Sequence, residues 1–342
     1  MTRKSKARYG MKRTYKLNPT VKALRNALLA GLMAASLAPS VATAAPFRYV
    51  AIEDIAPFDD SFVFNDDDLV ALAENIAAGI VVVSNNGDAG VVNHGNISAI
   101  ADASYGEYGD FALAAGIYAL AYSDAVIVND GDISATAIAE ANGSARAYGL
   151  WAIGGDSARI ENDGDITVSA SSEYGYATAV GIKATSDGDA IVENTGSISA
   201  TALVSYGDYN GYATTASAIG IDASGYSVSI YNTGDIEALA SNDLYFGAAV
   251  AIGINAEAYA DITISNSGDI TLSGSSGDGY TRIGYYPYIF VTGDFNGTGI
   301  NAESTIGSIS VENSGAITIT SLNESGVAGG YQTGDKLKGI SA

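Results

Sequence analysis

The sequence predicts an all-β fold, a right-handed parallel β-helix of about seven coils, from three observations. Asn-x-Gly-x-Ile recurs seven times, beginning at Asn93, Asn129, Asn162, Asn194, Asn232, Asn266 and Asn313. Apolar residues alternate with period two around each copy, as in strands. A Gly-Ile or Gly-Leu pair precedes each of the last six copies, its Gly 12 to 14 residues before the Asn (Gly116, Gly149, Gly181, Gly220, Gly253, Gly299). A repeat this short cannot bury its apolar face alone, whereas stacked copies share one continuous core.

The chain begins with nine basic residues and no acidic one in residues 1–44, followed there by the apolar run Ala27–Ala38 and by Ala42-Thr43-Ala44. A charged segment, a short apolar segment and small residues at −3 and −1 predict a secretory signal peptide cleaved after Ala44. Met11 opens a second segment of the same pattern. Residues 45–78 carry no copy of the motif and two acidic runs, Asp59-Asp60 and Asp66-Asp67-Asp68. They are expected to form an acidic N-terminal cap or linker.

Residues 79–342 are the predicted solenoid. Two residues before each Asn stands Val or Ile, and four after it stands Ile, so Asn and its Gly share the parity of the inward face. The seven Asn residues are expected to mark a bend between two short strands, bonding the turn backbone or stacking as a ladder, with Gly supplying a positive φ. Spacing between successive Asn residues varies from 32 to 47, and the variation falls after the motif. Lys338-Gly-Ile-Ser-Ala342 repeats the element that opens a coil, so the solenoid is expected to be truncated there.

Composition agrees. The chain has 47% hydrophobic and 16% charged residues, rich in Ala, Ile and Val, which suits narrow strand packing over disorder. There is no Cys and one His (His94), so disulfides, thiolate chemistry and histidine-based sites are not expected. Beyond residue 44, seven basic residues face all 38 acidic ones, a formal charge of −31. Such a charge repels nucleic acid and anionic membranes.

Tyrosines collect in the variable segments, 12 to 14 residues after the Asn in five repeats. Tyr206, Tyr209 and Tyr212, with Tyr285, Tyr286 and Tyr288 of the longest insertion (271–297), are the candidate partner-binding residues. The alternative is a structural tyrosine ladder. Asp132, Asp165, Asp235 and Asp269, and the Asp66–Asp68 cluster, invite calcium, a hard ion wanting oxygen ligands, but solvated turn carboxylates are the expected reading. No catalytic residue, metal site or cofactor is expected.

In its basic segment 1–44 and its Gly/Asn/Ala-rich repeats over 79–342 the chain resembles the passenger domains of Gram-negative autotransporters, the type V secreted surface proteins. The resemblance implies export, translocation by a C-terminal or separately encoded outer-membrane β-barrel, and adhesion to host or bacterial surface glycans or proteins at the cell surface. The alternative of another class is a secreted β-helical polysaccharide-active enzyme, a hydrolase or lyase. That chemistry needs convergent carboxylates, or a base beside an acidic site. The Asp residues instead sit at periodic turn positions.

Overall fold

A computed structural model describes residues 48–57, 59–104, 111–140, 143–173, 175–205, 214–242, 247–276, 278–282, 288–292, 294–321 and 336–342. Every regular element among them is a strand, and three strands make one coil. The first coil is β1 (Arg48–Ala56), β2 (Ser61–Asn65) and β3 (Leu69–Ala73); the second is β4 (Ile76–Ser84), β5 (Ala89–Asn93) and β6 (Ile97–Ala103). The third is β7 (Phe111–Ala121), β8 (Asp124–Asn129) and β9 (Ile133–Ala139); the fourth is β10 (Ser144–Gly154), β11 (Ser157–Asn162) and β12 (Ile166–Ser172). The fifth is β13 (Ala177–Ser186), β14 (Asp189–Asn194) and β15 (Ile198–Val204); the sixth is β16 (Thr215–Gly225), β17 (Ser227–Asn232) and β18 (Ile236–Asn242). The seventh is β19 (Ala248–Ala258), β20 (Ile262–Asn266) and β21 (Ile270–Ser276), followed by a hairpin of β22 (Asp278–Arg282) and β23 (Tyr288–Thr292). The eighth is β24 (Asp294–Ser304), β25 (Ile309–Asn313) and β26 (Ile317–Ser321), and β27 (Lys336–Ser341) begins a ninth.

Corresponding strands stack in parallel into sheet A of nine strands and sheets B and C of eight each. The architecture is a parallel β-helix. Register is strict: Asn pairs with Asn along sheet B, and the motif Ile with the motif Ile along sheet C. A slip of one residue would turn the buried set outward.

There are eight complete coils among the described residues, one more than the motif count predicts, and the expected cap is where the extra one lies. β1, β2 and β3 pair with β4, β5 and β6 throughout. Asn65-Asp-Asp-Asp-Leu69 is a degenerate motif, with Asn65 opposite Asn93 and Leu69 opposite Ile97. In later coils a side chain at the motif Gly is forbidden, since a Cβ on Gly131 would lie 2.1 Å from the carbonyl oxygen of Gly95 in the coil before. Among the described residues no coil precedes Asp67, so a side chain fits there.

That contact also corrects the expected role of the motif glycine. None of the seven motif glycines has a positive φ; the motif needs Gly because successive turns touch backbone to backbone.

A second glycine column has a different cause. In β7 the inward residues are Ala112 and Ala114 before Gly116, then Ile117, Ala119 and Ala121 after it, so the inward parity flips where the strand bends. Across the core the motif Ile lies against that bend. A Cβ on Gly181 would sit 2.3 Å from Ile198 Cγ2 and 2.7 Å from the Gly220 carbonyl oxygen. Glycine makes room here for the bulkiest recurring core residue. Each fully buried Ile contributes roughly 1.5–3 kcal/mol, so the column of them outweighs the small Ala contacts around it.

Candidate functional site

Each B–C corner is built by its Asn. Asn65, Asn93, Asn129, Asn162, Asn194, Asn232 and Asn266 each donate Nδ2–H to the Oδ1 of the Asn one coil on, at 2.6–2.8 Å. The same Nδ2 donates to the carbonyl two residues ahead, at 2.6–2.7 Å. Asn93 through Asn266 are essentially buried. Both expected bonds are therefore made, and these residues hold the turn.

A second, exposed ladder runs beside the first. Oδ1 of Asp68, Asn96, Asp132, Asp165, Asp235 and Asp269 accepts the backbone N–H of the equivalent residue in the next coil at 2.8–3.0 Å. Of the carboxylates considered as calcium ligands, Asp68, Asp132, Asp165, Asp235 and Asp269 thus each clip one coil to the next. No group of three or more His, Asp or Glu placed to hold a metal occurs among the described residues. His94 is exposed, with Nδ1 at 2.7 Å from Asp130 Oδ2 in the next coil. Asp132→Ala removes one clip and is expected to cost roughly 0.5–1.5 kcal/mol, measured by urea unfolding.

Along this corner Asp165, Asp235, Glu237 and Asp269, with Thr167, Ser199 and Thr271, line a shallow open groove. It is acidic and hydroxyl-rich, a surface suited to hydrogen bonding.

Length varies most at the C–A corner, as the spacing predicts. Two residues join Ala73 to Ile76, ten join Val204 to Thr215, and 17 join Ser276 to Asp294. The last contain β22 and β23, paired antiparallel with Tyr280 opposite Phe290 and Arg282 opposite Tyr288. Tyr285 and Tyr286 fall in 283–287, outside the described residues, as do Tyr206, Tyr209 and Tyr212. Elsewhere along this corner Tyr176 is exposed, and Phe111 lies under Arg146, whose guanidinium is 5.6 Å from the ring centre.

The outer face of sheet A holds an aromatic cluster that the sequence reading missed. Outward positions run Val81–Tyr118–Trp151–Lys183–Asp222–Asn255–Asn301 across the coils, apolar in the second to fourth and polar beyond. Trp151 stacks on Tyr148 at 4.4 Å and meets Tyr118 edge-on at 5.0 Å. All three are buried, and neither Tyr118 Oη nor Trp151 Nε1 has a hydrogen-bond partner among the described residues. Burial pushes both phenols up, that of Tyr148 against the opposing charges of Lys183 and Arg146. Beyond the boundary Lys183 pairs with Asp222, which accepts from Asn255 Nδ2 at 3.0 Å. The signal was the residue following each Gly-Ile: aromatic in Gly116-Ile-Tyr and Gly149-Leu-Trp, charged in Gly181-Ile-Lys and Gly220-Ile-Asp.

Comparison with protein-family models, with curated proteins and with solved structures returns no match to this chain.

Proposed function

We propose that the chain is a secreted or surface-displayed structural passenger segment of autotransporter type, exported through residues 1–44 and adhesive through its variable corner. The observation that carries the reading is the division of labour between corners. Three residues separate sheet B from sheet C in every coil, while the C–A corner takes up to 17 residues and a hairpin without disturbing the stack. A constant rod that tolerates insertions on one side suits presentation of contact loops. The partners are surface glycans or proteins, and an outer-membrane β-barrel carries the chain outward.

Expression of the whole chain in a Gram-negative host tests export: a periplasmic product whose N-terminus is Ala45 supports it, and an uncleaved cytosolic product overturns it. For adhesion, Tyr206, Tyr209 and Tyr212 are replaced together by Ser, with Tyr285, Tyr286 and Tyr288 as a second set. Binding to a glycan array or to cells should be lost in at least one set with thermal unfolding unchanged; loss of the fold instead would assign these rings to structure.

A further inference from the structure

We infer that the outer face of sheet B over the first three coils is a docking surface for a basic amphipathic segment of a partner protein. Phe62 and Phe64 point outward from β2 and are 57% and 77% exposed, an unusual placement for two large apolar side chains. They are in register with Gly90 and Val92 of β5, which are in register with Val126 and Val128 of β8. Gly90 leaves the space the Phe62 ring uses, since a Cβ there would lie 2.4 Å from Phe62 Cδ1. The result is one continuous apolar stripe across three coils. Isolated exposed apolar residues are ordinary, whereas contiguous ones mark contact surfaces.

The stripe has a sharp boundary. In the fourth coil Arg159 and Glu161 take the places of Val126 and Val128, and Arg159 is bonded to Glu161 at 2.5 Å and to Glu193 at 2.9 Å. Its two ends carry carboxylates, with Asp59, Asp60 and Asp88 at the A–B corner and, at the B–C corner, Asp66 and Asp130, the latter 2.7 Å from His94 Nδ1. No Lys or Arg occurs in β2, β5 or β8. A second copy of the chain would bring carboxylates against carboxylates, and an anionic membrane meets the same repulsion. The complementary occupant carries apolar side chains between basic ones.

The test uses the full chain and a fluorescent synthetic peptide of alternating Lys and Leu blocks, read by anisotropy. Binding is expected, with a Glu/Leu peptide of the same pattern failing to bind. Phe62→Ser/Phe64→Ser should weaken it at least about tenfold, and Phe64→Lys alone should do so too, both with unchanged circular dichroism. Glu257→Gln/Glu303→Gln, which removes two exposed charges from distant coils, should change it less than about twofold. An equal loss in that control reduces the binding to diffuse charge attraction and overturns the proposal. Sedimentation showing a dimer that the Phe62→Ser/Phe64→Ser variant dissolves also overturns it, making a second copy the occupant.

Discussion

Asn194→Asp is expected to destabilise the solenoid by about 3–5 kcal/mol at neutral pH, more than any exposed substitution in the chain. Asn194 is fully buried; its Oδ1 accepts from Asn162, and its Nδ2 donates to Gly196 O and Asn232 Oδ1, both at 2.7 Å. Aspartate places an oxygen where that nitrogen was, facing two acceptors and carrying a charge out of water. The new carboxyl is therefore held above its unfolded value of about 3.9 in the folded state. A folded pKa raised in this way makes the folded chain the stronger proton binder, so stability falls as pH rises from the unfolded pKa through the folded one. Relative to the parent chain the variant should regain stability on acidification, where the protonated group can donate again. Asn194→Ala removes the same bonds without a titrating group, and its deficit should not change with pH. Urea unfolding of both variants at neutral and acid pH measures this, and parallel pH profiles would show that charge is not the cause.

Gly181→Val is expected to cost more than about 3 kcal/mol, beyond the usual range for an overpacked core. Its Cβ meets a backbone oxygen of the next coil and the Ile that fills the core opposite, and neither can retreat without breaking register. Gly339 belongs to the same column, yet among the described residues nothing lies within 4 Å of a Cβ built there. Gly339→Val should therefore stay within about 0.5 kcal/mol of the parent. Thermal unfolding of the pair separates close approach from backbone preference, because an intrinsic intolerance of side chains at this bend would make both variants fail.

What could be read in advance was whatever repeats along one strand. Alternation around Asn129 or Asn194 fixes which side chains face inward, the nearly constant distance from Gly to Asn spans the A–B corner, and the Asn-x-Gly-x-Ile motif spans the B–C corner. The first coil was hidden because Asp67 and Leu69 break the pattern, and among the described residues no earlier turn is pressed against Asp67 to exclude its side chain. The glycines were visible but their cause was not: a motif Gly shows that a side chain is excluded, and the excluding atom belongs to a residue some 33 positions away. The same distance concealed the surface features. Tyr118 and Trp151 meet only when two coils are laid in register, and Phe62 and Phe64 join Val92 and Val128 by the same stacking. Tyr206, Tyr209, Tyr212, Tyr285 and Tyr286 belong to segments without periodicity, where alternation offers no guide to direction.

The asparagine ladder also gives the rod a sense of direction. Its seven amide-to-amide bonds all run one way, so their dipoles add in an apolar interior that screens them little. One terminus of such a column leads with N–H and the other with C=O. Two rods meeting end to end can continue the column only head to tail; any inverted encounter sets donor against donor or acceptor against acceptor. The amide column thus acts as an arrow through the molecule, restricting how β-helical ends of this kind can be joined in series.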